Sequence, residues 1–268
     1  MRLQVLLSTM NQEDTTILDK MNIESEAVVV NQCGKEGLYK HRHLDKDITF
    51  ICQDARGVGL SRNTALMRAN ADICLFSDDD VVYSSGYEKT VIAAFRKYPA
   101  ADVLIFNVLG DDEQRKDYEI TRNHRVRFYN FMRYGAVRIA VRRQSVLNKR
   151  IAFSLFFGGG TQFGSGEDSL FLADCLARGL KIFAVKDSLG SVSYETSSWF
   201  EGYNEKFLRD KGAFFAALSR PFARLLCMQL IIRHPEMRGK YSFFKAYRFM
   251  KKGIGEKRDG RRRRGGGK

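Results

Sequence analysis

Asp78, Asp79 and Asp80 stand just beyond the apolar run Ile73, Cys74, Leu75, Phe76. Three adjacent carboxylates raise one another's proton affinity unless a cation shares their charge. Hard divalent ions, Mn²⁺ or Mg²⁺, take such oxygens and leave positions open for substrate phosphates. A second acidic pair, Glu167 and Asp168, follows Phe163, Gly164, Ser165, Gly166 and opens the amphipathic stretch Leu170 to Leu176. A carboxylate held at the start of a rigid helix can serve as a general base, although the helix dipole favours its charged form. Each cluster alone has a plainer reading. The aspartates could form an acidic turn or cap the helix-like run Gly86 to Tyr98, and Glu167 or Asp168 could be an ordinary helix cap.

The elements that must position these acids are legible in outline. Leu3 to Leu7, Ala27 to Val30, Ile48 to Cys52, Ile73 to Phe76 and Val103 to Val108 read as strands. Between the third and fourth, Leu60, Ala65, Leu66 and Ala69 lie at helical spacing, with Ser61 as a candidate cap. This alternation predicts a mainly parallel sheet with flanking helices. The aspartates then begin where a strand leaves the core, which is where open α/β sheets bind ligands. A loop or broken helix is expected over Asp111 to Arg127, then a strand at Ala136 to Val141 and a helix at Arg142 to Lys149. Phe207, Phe214, Phe215, Leu218, Phe222, Leu225, Leu226, Leu230 and Ile231, interleaved with basic residues, predict amphipathic helices. The expected division is a catalytic domain over 1–198, a helical region over 199–250 and a basic, disordered tail over 251–268.

The 268 residues carry a formal charge of +14. Residues 1–208 hold 27 basic and 27 acidic side chains, whereas 209–268 hold 18 and 4, so the whole excess is C-terminal. A neutral body with a basic end suits an anionic surface. Five scattered cysteines without CxxC spacing argue against a disulfide framework or a zinc site and fit buried, reduced thiols. No secretory signal is evident, and no run approaches the ~20 apolar residues needed to span a bilayer.

Taken in order, Arg56 to Leu66 (RGVGLSRNTAL), Phe76 to Val81 (FSDDDV) and Gly166 to Phe171 (GEDSLF) resemble the family 2 glycosyltransferases with the GT-A fold, over roughly residues 1–190. The resemblance implies an inverting, metal-dependent hexosyltransferase that uses a nucleotide sugar, UDP-linked by expectation. It sets Thr9 and Asn11 against the nucleotide. Asn31 falls where many relatives have an aspartate beside the uracil, a departure that leaves the base open. Arg62 and Asn63 match an Arg-Asn pair near the diphosphate. Asp78 and Asp80 match the ends of the D-x-D motif around Asp79 and are the expected metal ligands, Asp80 the more direct of the two, and Asp168 matches the base. Glu167 is its neighbour on the acceptor side. Where some relatives have a metal-facing histidine, this chain reads Val192, Ser193, Tyr194, Glu195, so the metal would rest on carboxylate, diphosphate and water. The implied acceptor is a glycan, lipid-linked, in bacterial surface polysaccharide synthesis on the cytoplasmic face of the membrane.

Other signals are weaker. Gly57 to Arg62 nearly spells GxGxxG but has Arg at the third glycine, which argues against a dinucleotide-binding oxidoreductase. Gly158, Gly159, Gly160 and Thr161 lack the lysine of a P-loop and read as a turn near the acceptor side. His41, His43, His124 and His234 have no metal spacing. Trp199, with Phe200 and Tyr203, could form an aromatic platform for an acceptor sugar or simply pack in a core. Two other classes stay open: a nucleic-acid-binding protein using Tyr241, Phe243, Phe244, Tyr247 and Phe249 among basic residues, and a nucleotide-sugar-binding protein without catalysis. Anionic lipid suits the same terminus and unites both halves of the chain, so no nucleic acid is expected.

Overall fold

The computed structural model describes residues 1–110, 118–193 and 202–262, apart from the side chains of Arg238 and residues 257–262. Two compact units emerge: Met1–Leu155 with Glu167–Ser197, and Phe156–Gly166 with Ser198–Lys268.

The first unit is built on one sheet. Its strands are β1 (Leu3–Met10), β2 (Glu26–Gln32), β3 (Gly37–His43), β4 (Lys46–Gln53), β5 (Ile73–Asp78), β6 (Val81–Tyr83), β7 (Val103–Gly110), β8 (His124–Arg125), β9 (Ile139–Arg142) and β10 (Ile182–Val192). They run in the order β3-β4-β2-β1-β5-β9-β7-β10-β6, with β8 on β10. Pairs β4-β2, β2-β1, β1-β5 and β7-β10 are parallel. Val28, Val29 and Val30 of β2 and Val5, Leu6 and Leu7 of β1 are all buried, so these strands are covered on both faces, as parallel sheets require. β9 enters antiparallel between β5 and β7, which breaks the parallel run beside the strand that carries the aspartates.

Helices α1 (Ile17–Lys20), α2 (Val58–Arg68), α3 (Tyr87–Lys97), α4 (Arg143–Asn148) and α5 (Glu167–Ala177) complete this unit. The parallel strands and flanking helices match the expected architecture. Four details differ. β3 has a largely exposed sequence, GLYKHRH, with no apolar alternation, and forms only because it pairs antiparallel with β4. Ala136–Arg138 is a 3₁₀ turn, and the strand begins at Ile139. Ser61 does not cap α2: the helix starts at Val58 after Gly57, and Ser61 is buried inside it. Cys33 and Cys52 are half-buried, while Cys74, Cys175 and Cys227 are buried; all five are free thiols.

The second unit contains α6 (Glu205–Leu218), α7 (Ala223–Arg233), α8 (Pro235–Lys240) and α9 (Phe243–Arg262). Asn204 caps α6 by accepting the Phe207 N–H at 2.8 Å, and Pro235 starts α8 where its missing N–H is harmless. Helices α6 and α9 meet through glycine: a Cβ at Gly212 would lie 1.9 Å from the Met250 carbonyl oxygen, and one at Gly253 would lie 1.8 Å from that of Arg209. Gly158, Gly160 and Thr161 also belong here, closed by the Thr161 N–H on Gly158 O at 3.2 Å and by stacked Phe157 and Phe163. Helix α9 continues to Arg262, so 251–262 is helical where disorder was expected; packing of Met250 and Gly253 against α6 extends it past the apolar stretch. Residues 263–268 lie outside the described residues. Among the described residues, no helix is long and apolar enough to cross a membrane.

Candidate active site

The carboxyl ends of β1, β2, β4 and β5 lie side by side, and each delivers buried polar side chains there: Ser8 and Thr9, Asn31 and Gln32, Gln53, Ser77. Buried polar groups are costly unless bonded, so such a row at one sheet edge marks a constructed site. Asn31 Oδ1 accepts the Gln12 N–H at 3.1 Å and its Nδ2 donates to Gln12 O at 2.8 Å. Asn31 therefore fixes the loop after β1, where Asn11 takes a left-handed φ of 54°. Gln12 Nε2 in turn donates to Thr9 Oγ1 at 3.0 Å, and Thr9 Oγ1 donates to Asp79 Oδ2 at 2.5 Å. Asp79 is thereby tied to β1.

Arg62 holds the centre. On α2 its side chain is 3% exposed; Nη2 donates to Asp78 Oδ1 and Oδ2 at 3.0 and 2.8 Å, while Nη1 donates to Glu167 Oε1 at 3.1 Å and Asp168 Oδ1 at 2.9 Å. One guanidinium thus joins the strand-end acid to both acids of α5. Burial works against its charge, but Asp78, Asp168 and Glu167 more than offset this and hold its pKa above the ordinary arginine value. The guanidinium lies 5.3 Å over the Phe153 ring, which stacks on Phe171 at 4.2 Å. Phe76 meets both rings edge-on, so an aromatic layer underlies the charges.

The glycines before Arg62 serve packing. A Cβ at Gly59 would lie 2.2 Å from the Ser154 carbonyl oxygen, so α2 can approach the 153–154 backbone only without one. Gly57, at φ 134°, donates its N–H to Gln32 Oε1 at 2.7 Å. Asn63 spends its amide on the same backbone, donating to Phe153 O at 2.9 Å and accepting the Phe153 N–H at 2.8 Å. These two bonds fasten α2 to the backbone at Phe153.

Asp168 sits where Gly166, at φ 115°, turns the chain into α5. Its side chain is 25% exposed and also accepts the Ala136 N–H; a methyl on Gly135 would come within 3.7 Å of its Oδ2. Burial and the adjacent Glu167 raise its pKa to about 8 against the pull of Arg62.

Asp80 is pushed up to about 6 by burial and then by Asp78 and Asp79, and its buried Oδ1 has no hydrogen-bond partner. An orphaned carboxylate oxygen beside two like charges fits a hard divalent ion. Both oxygens of Asp78 are engaged by Arg62, so Asp80 is the better donor of the two expected ligands. Among the described residues, no group of three or more His, Cys, Asp and Glu side chains is arranged to hold a metal.

Thr9, Asn11, Asn31, Arg62, Asp78, Asp79, Asp80, Glu167 and Asp168 are thus carried on one unit; Trp199, Phe200, Tyr194 and Glu195 lie outside the described residues. The sequence reading missed Gln12, which links Asn31 to Thr9, and the 134–136 segment beside Asp168. A glutamine just past a strand end and an isolated Gly135 were the only cues.

The family model "Glycosyl transferase family 2" matches residues 8–157. Among solved structures, S. aureus TarS 1–349 in complex with UDP-GlcNAc is 18% identical, with a TM-score of 0.60 over 87% of this chain and 72% of that one. TarS 1–349 with UDP gives 17% identity and a TM-score of 0.60, covering 92% and 74%. Against S. aureus TarS crystallised at greater length, 17% identical with a TM-score of 0.59, this chain covers 43% of the other. The fold is that of the GT-A glycosyltransferases. No curated protein matches in sequence.

Proposed function

We propose that this chain, which belongs to glycosyl transferase family 2, moves a hexose-type sugar from a nucleotide diphosphate sugar to a glycan hydroxyl with inversion at the anomeric carbon. The observation that carries the reading is the Arg62 bridge from Asp78 to Asp168, because it sets a strand-end acid and a base on one charged centre. In this mechanism Asp168 removes the proton of the acceptor hydroxyl. The hydroxyl oxygen attacks the anomeric carbon opposite the leaving diphosphate, and one base on that face suffices. Arg62 orients Asp168 and shares charge with Asp78. Thr9 and Gln12 hold Asp79 and the loop after β1 for the nucleotide. Asp80, next to Asp78 and Asp79, would hold Mn²⁺ or Mg²⁺. Such an ion, when bound, stabilises negative charge developing on the leaving diphosphate.

UDP is the expected nucleotide, and Asn31 holds the loop after β1 through the Gln12 backbone. For the acceptor, a lipid-linked glycan on the cytoplasmic face of a membrane is supported by the second unit. Phe222, which precedes α7, and Leu225 and Ile232 on it are exposed, and Phe244 is exposed on α9, among Arg220, Arg224, Arg233 and Lys245. Apolar side chains framed by cations suit an anionic lipid surface.

The reading is tested by incubating purified protein with Mn²⁺ and a panel of nucleotide sugars, following nucleoside diphosphate release and calorimetric binding. Binding and turnover of one donor are expected; no binding to any donor rejects it. Retained binding without transfer in the unmutated protein would favour a binding protein instead.

A further inference from the structure

The turn Arg127 to Asn130 presents side chains that turns ordinarily lack. The Asn130 N–H donates to Arg127 O at 3.1 Å and the Arg127 N–H donates to Asn130 Oδ1 at 2.8 Å, while Asn130 itself is buried. The turn is therefore fixed from both sides. Its central residues are Phe128 and Tyr129, 58% and 79% exposed, where Gly, Pro, Asn, Asp or Ser usually stand. Buried Phe131 meets the Phe128 ring edge-on at 6.2 Å and so orients it, and Met132 adds further exposed apolar surface. Folding stability gives no reason to hold two large rings in water on a rigid turn.

This segment ends against the base. Gly135 and Ala136 border Asp168, the latter through its N–H. Tyr129 and Gly135 are six positions apart, at most about 22 Å of extended chain, and the 3₁₀ turn Phe131–Arg133 shortens that span.

We propose that the 127–130 turn is a subsite for the acceptor glycan, with Phe128 and Tyr129 packing on the apolar faces of a sugar ring next to the one whose hydroxyl reaches Asp168. The assignment rests on the glycosyl-transfer reading of Asp168. Continuity with that base selects the occupant, because the chain runs from the aromatic turn directly to Gly135 and Ala136, which border Asp168. An aromatic ring with a polar tip matches a sugar, which offers C–H faces and a hydroxyl edge.

The test is the double variant Phe128→Ser/Tyr129→Ser in the full chain, loaded with UDP and probed on a printed array of oligosaccharides. Donor binding by calorimetry and Tm are measured in parallel. Glycans captured by the unmutated protein are expected to be held at least about tenfold more weakly by the variant, with nucleotide-sugar affinity and Tm unchanged. If the double variant's Tm falls, Tyr129→Ala alone, at the more exposed ring, carries the same comparison. Undiminished capture by the variant overturns the subsite, as does capture of no glycan by an unmutated protein that does bind nucleotide sugar. An unmutated protein that binds no nucleotide sugar instead removes the glycosyl-transfer reading, and the subsite with it.

Discussion

Arg62 Nη1 donates to Asp168 Oδ1 at 2.9 Å across 106 positions of sequence, while the same guanidinium grips Asp78 with its other terminal nitrogen. A single buried cation thus sets the geometry of the base. Replacing it with Met leaves three carboxylates without a counter-charge. Arg62→Met should cost about 3 kcal/mol or more in urea unfolding. Arg62→Lys keeps the charge but loses the fork, so it should recover part of that stability and little transfer activity.

Asp168 carries the pH dependence. A base acts when ionised, and its pKa is raised to about 8, so kcat/KM should climb with pH through about 8 and level off above it. The sign for stability is opposite. An unfolded aspartate titrates near ~3.9, so the folded chain holds this proton more tightly. The resulting stabilisation is complete below about pH 4 and is lost as pH rises through about 8. Asp168→Asn should flatten that decline in urea midpoints measured between about pH 5 and pH 9.

Much of this arrangement was legible beforehand and some could not have been. Runs such as Val28, Val29, Val30 and Ile73 to Phe76 point to doubly covered strands, because they are short and continuously apolar, the first wholly β-branched. The acidic clusters were visible for the same local reason: charge abutting core. β3 was invisible because an exposed edge strand such as GLYKHRH has no buried face to pattern. The antiparallel entry of β9 depends on pairing with β5 and β7, which no local spacing records. Arg62 stood in a recognisable motif, yet its partners lie 16, 105 and 106 residues away, so its role as a bridge needed coordinates.

Asn63 distinguishes a fastening role from a nucleotide contact. Its amide satisfies both backbone groups of Phe153, whose ring underlies Arg62. Asn63→Ala should lower stability by about 1–3 kcal/mol through the orphaned Phe153 groups. Calorimetric nucleotide affinity should change less than about threefold; a larger loss would restore the direct contact.

Asp80 should govern metal dependence. Asp80→Ala removes both carboxylate oxygens, the orphaned Oδ1 included. Donor binding measured with Mn²⁺ and again with EDTA should differ in the unmutated protein and converge in the variant. Equal metal response in both would assign the ion to other residues.

In the second unit, Gly212→Ala forces a methyl against the Met250 carbonyl oxygen, so backbone must shift. A loss of about 1–3 kcal/mol is expected by thermal or urea unfolding. Gly239→Ala, where a Cβ meets no atom within 4 Å, is the control and should be near neutral.

The most direct measurement compares unmutated protein with Asp168→Asn on the donor that the nucleotide-sugar panel selects, reading transfer and calorimetric affinity together. The role of Asp168 as base predicts affinity within about threefold and transfer lowered by roughly 10²-fold or more. Transfer at the unmutated rate in the variant would contradict it.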